Sequence, residues 1–169
     1  MMLKKIIIIS GLLFTMLNAN NDKELKLYNI HTKESYTGIY YKNGMYVDLE
    51  IKKLKLFFRD FRTNTSKTID IKSINSLFDI KQRYHYINTI DIISGYRSKK
   101  TNDMLRGKGR KTVKKSNHIV GKAIDFRFRK WNIRRVYNLC LKHNNGGCGL
   151  YTKSDFIHLD SGRKRYWGR

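Results

Sequence analysis

Apolar and polar positions alternate in the first part of the chain that follows residue 20. Residues 25–30 alternate and contain the Leu, Tyr and Ile side chains that suit a half-buried strand. Residues 38–41 and 45–47 are also apolar, and between them lies Asn43-Gly44, the strongest short-range signal of a hairpin turn. We therefore expect a small β-meander at the N-terminal end of the domain.

Helical spacing of apolar residues follows the meander. Such residues recur at near-helical intervals after Asp48 and again after Asp70, two residues that can cap the N-terminus of a helix. A short helix is expected over residues 101–105. A longer amphipathic helix is expected over residues 131–141, ended by the Asn and Gly residues of 144–147.

Strand patterns dominate the C-terminal half. Residues 89–93 are a short β-branched run, and residues 121–128 alternate so that Asp125 lies on the polar face of a strand with an apolar back. Residues 148–151 and 156–160 are expected to form the last two strands. No repeat or linker divides the sequence, so we predict one α+β domain.

Residues 1–19 are predicted to be a secretory signal peptide. Lys4 and Lys5 precede an apolar run that ends near a small residue, Ala19. The run is too short to span a membrane comfortably, and a retained N-terminal anchor is the alternative. We expect an exported protein of the periplasm or cell envelope, with residues 20–169 forming a single domain.

The composition is strongly basic. Lys and Arg number 36 against 13 acidic residues, a formal net charge of +23. Such a surface attracts polyanions. For an exported protein these are anionic wall polymers or a membrane surface rather than a specific nucleic acid. A basic surface that is simply solvated, or a secreted nucleic-acid binder, would also explain the lysines, but neither explains the motifs described below.

The two cysteines limit the possible chemistry. Cys140 and Cys148 lie on either side of a Gly-rich segment, and the absence of Cys-x-x-Cys argues against a structural zinc site built from cysteines. Export permits a disulfide between them. A disulfide and two buried free thiols both fit the sequence.

Two histidines and an aspartate are the candidate metal ligands. His118, Asp125 and His158 provide two imidazoles and one carboxylate, a common way to hold a catalytic zinc ion while leaving a position for water. Asp160 follows His158 by two residues on a predicted strand and so faces the same side. These spacings are weak signals by themselves, because a single His is usually an ordinary core or surface residue.

Further motifs accompany these residues in a fixed order along the chain. They are Ser94-Gly95-Tyr96-Arg97-Ser98, Ser116-x-His118-x-x-Gly121-x-Ala123-x-Asp125, Gly147-x-Gly149-x-Tyr151, Ser154-Asp155-Phe156-x-His158-x-Asp160 and Gly162-x-x-Arg165-x-Trp167. This order resembles the zinc D-alanyl-D-alanine carboxypeptidase and murein endopeptidase family (LAS type), whose fold is shared with the hedgehog signalling domain. An early motif, Leu27-Tyr28-Asn29-x-His31-Thr32, resembles its exported murein endopeptidase branch.

The resemblance implies a fold and a metal site. The fold would be a hedgehog-like antiparallel sheet flanked by helices, preceded by the β-meander. One zinc ion per chain would be held by His118, Asp125 and His158. Cys148 departs from the family pattern, where an aliphatic residue is expected, so a disulfide to Cys140 would be a local feature of this chain.

The resemblance also implies catalytic roles. Relatives usually have Glu three residues before the last ligand as the general base, which corresponds to the shorter Asp155. Strand parity favours Asp160 as the base instead. We assign Asp155 as the base and Asp160 as a supporting or assisting group, and we assign Arg97 to stabilising an oxyanion or, with Ser116, to binding substrate.

The predicted function is that of an exported zinc metallopeptidase, most simply a monomer. It would hydrolyse peptide bonds in peptidoglycan stem peptides or crosslinks through zinc-activated water and an acidic base. A non-catalytic, zinc-containing wall-binding module of the same fold is the alternative, because fold does not fix function. The motifs fit a carboxypeptidase and an endopeptidase equally.

Overall fold

A computed structural model describes residues 21–84, 86, 88–109 and 112–168 of the 169-residue chain. The predicted signal peptide lies outside these residues. The strands are β1 (Lys23–Asn29), β2 (Ser35–Lys42), β3 (Met45–Tyr46), β4 (Ile90–Ser94), β5 (Ala123–Arg127), β6 (Gly147–Tyr151), β7 (Phe156–Asp160) and β8 (Arg165–Trp167). The helices are α1 (Asp48–Phe57), α2 (Ile71–Gln82), α3 (Lys99–Gly107) and α4 (Ile133–His143).

The eight strands form one sheet in the order β3-β2-β1-β4-β5-β7-β6-β8. Neighbours are antiparallel except β1 with β4 and β6 with β8, which are parallel. The α+β class is confirmed, but the sheet is mixed and not purely antiparallel. β4 can run parallel to β1 because the connection through α1 and α2 is long enough to bring the chain back to the same end of the sheet. The prediction also missed β8, which follows the two strands expected to be last.

The predicted meander is present as β1, β2 and β3. Asn43 and Gly44 form the turn between β2 and β3, and both have positive φ, as the favoured two-residue hairpin turn requires.

Of the two aspartates predicted to cap helices, one does so and the other does not. Asp70 caps α2 by accepting a hydrogen bond from the backbone N–H of Lys72 at 3.0 Å. Asp48, in contrast, is the first residue of α1, and the capping position belongs to Val47.

The hydrophobic core lies on one face of the sheet. Alternate residues of the central strands are buried against α2 and α4 on this face, among them Leu25, Leu27, Ile90, Ile92, Ile124, Phe126, Ile157 and Leu159. The residues between them point to the opposite face, where the buried side chains include several polar ones: Asp91, Asp125, His158 and Asp160. The sheet therefore separates an apolar core from a polar face. No helix in the described part of the chain is long and apolar enough to span a membrane.

A disulfide joins Cys140 of α4 to Cys148 of β6, with the two Cα atoms 6.1 Å apart. Both cysteines are buried. In the segment between them, Asn144 donates hydrogen bonds to the backbone carbonyls of Gly147, at 2.9 Å, and Asp160, at 3.1 Å. The turn from α4 into β6 is thus fixed both covalently and by a buried amide.

We predict that protein isolated without reductant carries this disulfide, and that it stabilises the fold. Its intact mass should be two hydrogens below that of the reduced chain. The variant C140A/C148A should lose about 2–4 kcal/mol of unfolding free energy in urea melts, because closing a short loop removes entropy from the unfolded chain. Two thiols that react with an alkylating agent in freshly isolated native protein would contradict the prediction.

Candidate metal centre

The loop after β4 carries Arg97 and is tied to the end of α1. The buried carboxylate of Asp60 accepts hydrogen bonds from Ser98, from its N–H at 2.9 Å and its hydroxyl at 2.6 Å. The N–H of Tyr96 donates to the carbonyl of Phe58 at 2.9 Å. Burial raises the pKa of Asp60, but the hydrogen bonds that its carboxylate accepts, those from Ser98 among them, together outweigh burial, and the net pKa is lowered. An ionised carboxylate therefore anchors the loop that presents Arg97.

His118 lies in the turn that precedes β5, and its ring is oriented by this same loop. Its Nδ1 donates to the carbonyl of Gly95 at 2.7 Å, and its backbone carbonyl accepts from the N–H of Arg97 at 3.2 Å. Ser116, which we assigned to substrate binding, is buried and accepts from the N–H of His118 at 3.3 Å. With Nδ1 engaged as a donor, the lone pair of Nε2 is available to a metal ion.

Asp125 of β5 and His158 of β7 are paired directly across the antiparallel ladder. Nε2 of His118 lies 3.3 Å from Oδ2 of Asp125 and 3.2 Å from Nδ1 of His158. Nδ1 of His158 lies 2.9 Å from Oδ1 of Asp125. The three residues are buried, and together they offer ligand atoms that all lie within 4.8 Å of one another.

The second nitrogen of His158 is fixed by Asp160. Nε2 of His158 bonds to Oδ2 of Asp160 at 2.8 Å, and the Asp160 side chain is fully buried. Arg165 holds the same carboxylate through two bonds of 2.7 and 3.1 Å, and the N–H of Gly162 donates to it at 2.8 Å. A Cβ at Gly147 would overlap this carboxylate, which explains the glycine at the start of β6.

The electrostatics of the cluster favour an anionic carboxylate between two imidazoles. Burial lowers the pKa of His118. Burial raises the pKa of Asp125, but the two histidines outweigh it and hold that pKa well below its usual range. Burial lowers the pKa of His158, but its bonds to Asp125 and Asp160 outweigh it and raise the pKa to about 9. A metal ion that binds Nδ1 of His158 must therefore displace a proton.

These residues fit a zinc ion. Two imidazole nitrogens and one carboxylate oxygen are the donors of a three-ligand catalytic site. Each imidazole has its other nitrogen held by a carbonyl or a carboxylate, as metal-binding histidines usually do. Arg97 borders the cluster, with Nη2 3.7 Å from Oδ2 of Asp125. The structure thus brings together His118, Asp125, His158, Asp160 and Arg97.

Asp155 is placed differently from these residues. It lies in the turn between β6 and β7, and its φ of 49° is in the left-handed region, where Asp is one of the few residues found often. Its side chain is 61% exposed, and Oδ2 lies 3.6 Å from Nη1 of Arg127 on β5. The assigned base is therefore a solvated carboxylate beside a guanidinium, at the end of the strand that carries His158.

Several supporting contacts were not predicted from the sequence. The Arg165–Asp160 pair is one, although Arg165 belonged to a recognised motif. The ring of Trp167 is another, because it lies 5.2 Å from the His158 ring and donates from Nε1 to the Tyr151 hydroxyl at 3.1 Å. A Cβ at Gly149 would overlap that indole. The alternate glycines of β6 were the available signal, since a glycine inside a strand often marks a close approach.

We predict one zinc ion per chain in protein purified without added metal, measured by elemental analysis. The variant H118A should contain well under one equivalent, because it keeps only two of the three ligands. H143A is the matched control, since His143 ends α4 outside this cluster and its loss should leave the zinc content unchanged. Full zinc occupancy in H118A would show that the ligand assignment is wrong.

Comparisons with known proteins point to one family. A family model described as peptidoglycan L,D-endopeptidase MepK matches residues 17–167. The peptidoglycan L,D-endopeptidase MepK of Escherichia coli strain K12 is 35% identical over 154 residues, which cover 91% of this chain and 85% of the relative. The probable peptidoglycan L,D-endopeptidase MepK of Haemophilus influenzae is 34% identical over 161 residues, covering 95% and 87%.

No solved structure gives a significant match to this chain. The family model nevertheless spans the meander, the candidate metal ligands and the final strand, so the likeness is not confined to a short motif. The resemblance to zinc murein endopeptidases is confirmed, and the mixed α+β sheet is consistent with their hedgehog-like fold. The chain belongs to the peptidoglycan L,D-endopeptidase MepK family.

Proposed function

We propose that this protein is an exported, zinc-dependent endopeptidase that cleaves L,D-peptide bonds in peptidoglycan crosslinks. The observation that carries the proposal is the buried cluster of His118, Asp125 and His158, in which each imidazole has one nitrogen held from outside and the other directed inward. Membership of a family of peptidoglycan endopeptidases supports the reaction class and the substrate. The predicted signal peptide supports a location in the envelope, where peptidoglycan lies.

The proposed roles of the residues follow from their surroundings. Zinc, when bound, supplies Lewis-acid chemistry that polarises a peptide carbonyl and makes water more acidic. Arg97, fixed by its backbone bond to His118, is suited to stabilising negative charge on the carbonyl oxygen. Asp155 is exposed, and its carboxylate accepts the proton of the attacking water. Asp160 keeps His158 in the tautomer that directs Nδ1 inward.

The burial of Asp160 supports this division of roles. Both of its oxygens are occupied by His158, Arg165 and backbone N–H groups, and none of its surface is exposed. Burial raises its pKa, but the bonds from His158 and Arg165 outweigh this and hold the pKa far below its usual range. A carboxylate in these surroundings is a poor proton acceptor. The exposed Asp155 remains as the candidate base.

Digestion of purified crosslinked muropeptides, followed by mass analysis, tests the proposed function. The expected products are the two stem peptides released by cleavage of a crosslink that joins an L-centre to a D-centre. Cleavage should stop on chelation and return on addition of zinc. Release of a terminal D-residue alone would favour a carboxypeptidase. Absence of any product from zinc-loaded protein would favour the non-catalytic wall-binding module.

The variants D155N and D160N separate the two carboxylates, because Asn keeps the shape and removes the charge. D155N should keep its zinc and lose about 100- to 10,000-fold in kcat, as expected for a positioned proton acceptor. D160N should lose about 10- to 100-fold in zinc affinity or activity, as expected for a group that orients a ligand. D79N, which changes an exposed aspartate of α2, is the control. A zinc-replete but inactive D160N, together with a zinc-deficient D155N, would reverse the two roles.

A further inference from the structure

A second charged cluster lies on the polar face of the sheet, next to the metal centre. Its centre is Asp91 of β4, which is 1% exposed. The carboxylate accepts from Nε of Arg127 at 3.1 Å, from Nε of Arg129 at 3.1 Å and from Nη2 of Arg129 at 2.7 Å. None of the roles proposed above uses Asp91 or Arg129.

The cluster carries more positive charge than its anchor requires. One guanidinium would be enough to compensate a buried carboxylate, yet Asp91 holds two. Asp155 approaches Arg127, but at 3.6 Å and with a mostly exposed side chain it adds only a weak pairing. Arg127 is 32% exposed and Arg129 61% exposed, so both guanidiniums remain accessible.

The hydrogen-bonding capacity of the two arginines is also largely unused. A guanidinium has five N–H donors. Among the side-chain hydrogen bonds of the described residues, Arg127 uses one donor and Arg129 two, all toward Asp91. The outer nitrogens of both side chains can therefore donate to a further acceptor. A planar fork of donors matches a carboxylate in particular.

The position of the cluster relates it to the reaction site. Arg127 is two residues beyond the ligand Asp125 on β5, so the two side chains share a face and lie about 7 Å apart along the strand. Tyr28 of β1 is paired with Asp91, and its ring centre lies 5.6 Å from the guanidinium carbon of Arg129. The cluster thus crosses β1, β4 and β5 and ends beside the metal ligands.

We propose that Arg127 and Arg129, held by Asp91, form a subsite for a free carboxylate of the peptide substrate. The inference rests on the proposed function, because peptidoglycan stem peptides carry free carboxylates close to their crosslinks. The buried Asp91 fixes both guanidiniums before substrate arrives, which reduces the conformational entropy lost on binding. The subsite selects acidic peptides, since an amide in place of the carboxylate cannot accept two charge-assisted bonds.

The test compares two crosslinked muropeptides that differ in one group, a free carboxylate or its amide beside the scissile bond. The wild type should cleave the acid with a higher kcat/KM than the amide. In R129Q the KM for the acid should rise about 10- to 100-fold with little change in kcat, as expected for loss of a charge-assisted hydrogen bond. The ratio of the two kcat/KM values should fall toward one. R127K should also lose this ratio, because an ammonium cannot replace the fork.

The matched control is R134Q, which removes the same charge from the exposed start of α4. It should leave the preference for the acid intact. Zinc content and urea melts report on folding in every variant. Equal losses on both substrates in R129Q, or an unchanged preference, would overturn the subsite. A fall in kcat on both substrates in R127K would instead assign Arg127 to positioning Asp155.

A binding measurement distinguishes failure of the proposed function from failure of the subsite. If wild-type protein cleaves neither substrate, the binding of the acid and amide stem peptides is measured by calorimetry. Tighter binding of the acid by wild type than by R129Q would keep the subsite in a protein that does not hydrolyse peptidoglycan. Equal binding of both peptides by both proteins would overturn the subsite as well.

Discussion

The candidate metal centre depends on one requirement: each of two buried imidazoles must have one nitrogen held by a hydrogen-bond acceptor, so that the other nitrogen is directed toward the metal ion. For His118 the requirement is met by the carbonyl of Gly95, and for His158 by the carboxylate of Asp160. Each of these acceptors needs its own support. The loop of Gly95 is fastened through Ser98 to the buried Asp60, and Asp160 is held by Arg165. Two separate parts of the chain therefore determine which nitrogen of each histidine is held by an acceptor and which is directed toward the other ligands.

The sheet makes this arrangement possible because one of its faces forms the apolar core and the other carries the polar groups of the site. One face packs against α2 and α4 and supplies the apolar burial that stabilises the domain. The other face buries Asp91, Asp125 and Asp160, each of which would be costly without a partner. Every one of these carboxylates contacts Arg or His. The polar face is thus a continuous set of compensated charges, and such sets hold their side chains in single positions.

The sequence predicted the local features well and the distant pairings poorly. Asn43-Gly44, Asp70 and the alternation around Asp125 depend on neighbouring residues, and each was correctly identified from the local sequence. The parallel pairing of β1 with β4 depends on how two intervening helices return the chain, and no local pattern encodes it. The same is true of β8 beside β6.

In the candidate site, too, the features that depend on local sequence were predicted and those that depend on distant contacts were not. His118, Asp125 and His158 were proposed from the order of motifs, and the structure brings them together. Strand parity placed Asp160 on the face of His158 but could not distinguish a base from a support. That distinction depends on burial and on the pairing of Asp160 with Arg165, neither of which can be read from the spacing of the motifs. Asp91, Arg127 and Arg129 gave no signal, since charged residues in a basic chain are ordinary until their common partner is seen.

The two carboxylates that flank His158 are held with unequal strength, and the difference suits the roles proposed for them. Asp160 is buried on β7 and receives bonds from His158, Arg165 and two backbone N–H groups. A group that orients a metal ligand must stay fixed through every step. Asp155 lies in a turn with a single guanidinium 3.6 Å away. A group that accepts a proton from water and later returns it must approach different atoms in turn, so it cannot be fixed as tightly. The exposed side chain of Asp155, with one guanidinium 3.6 Å away, is held less tightly than that of Asp160, as the proposed role requires.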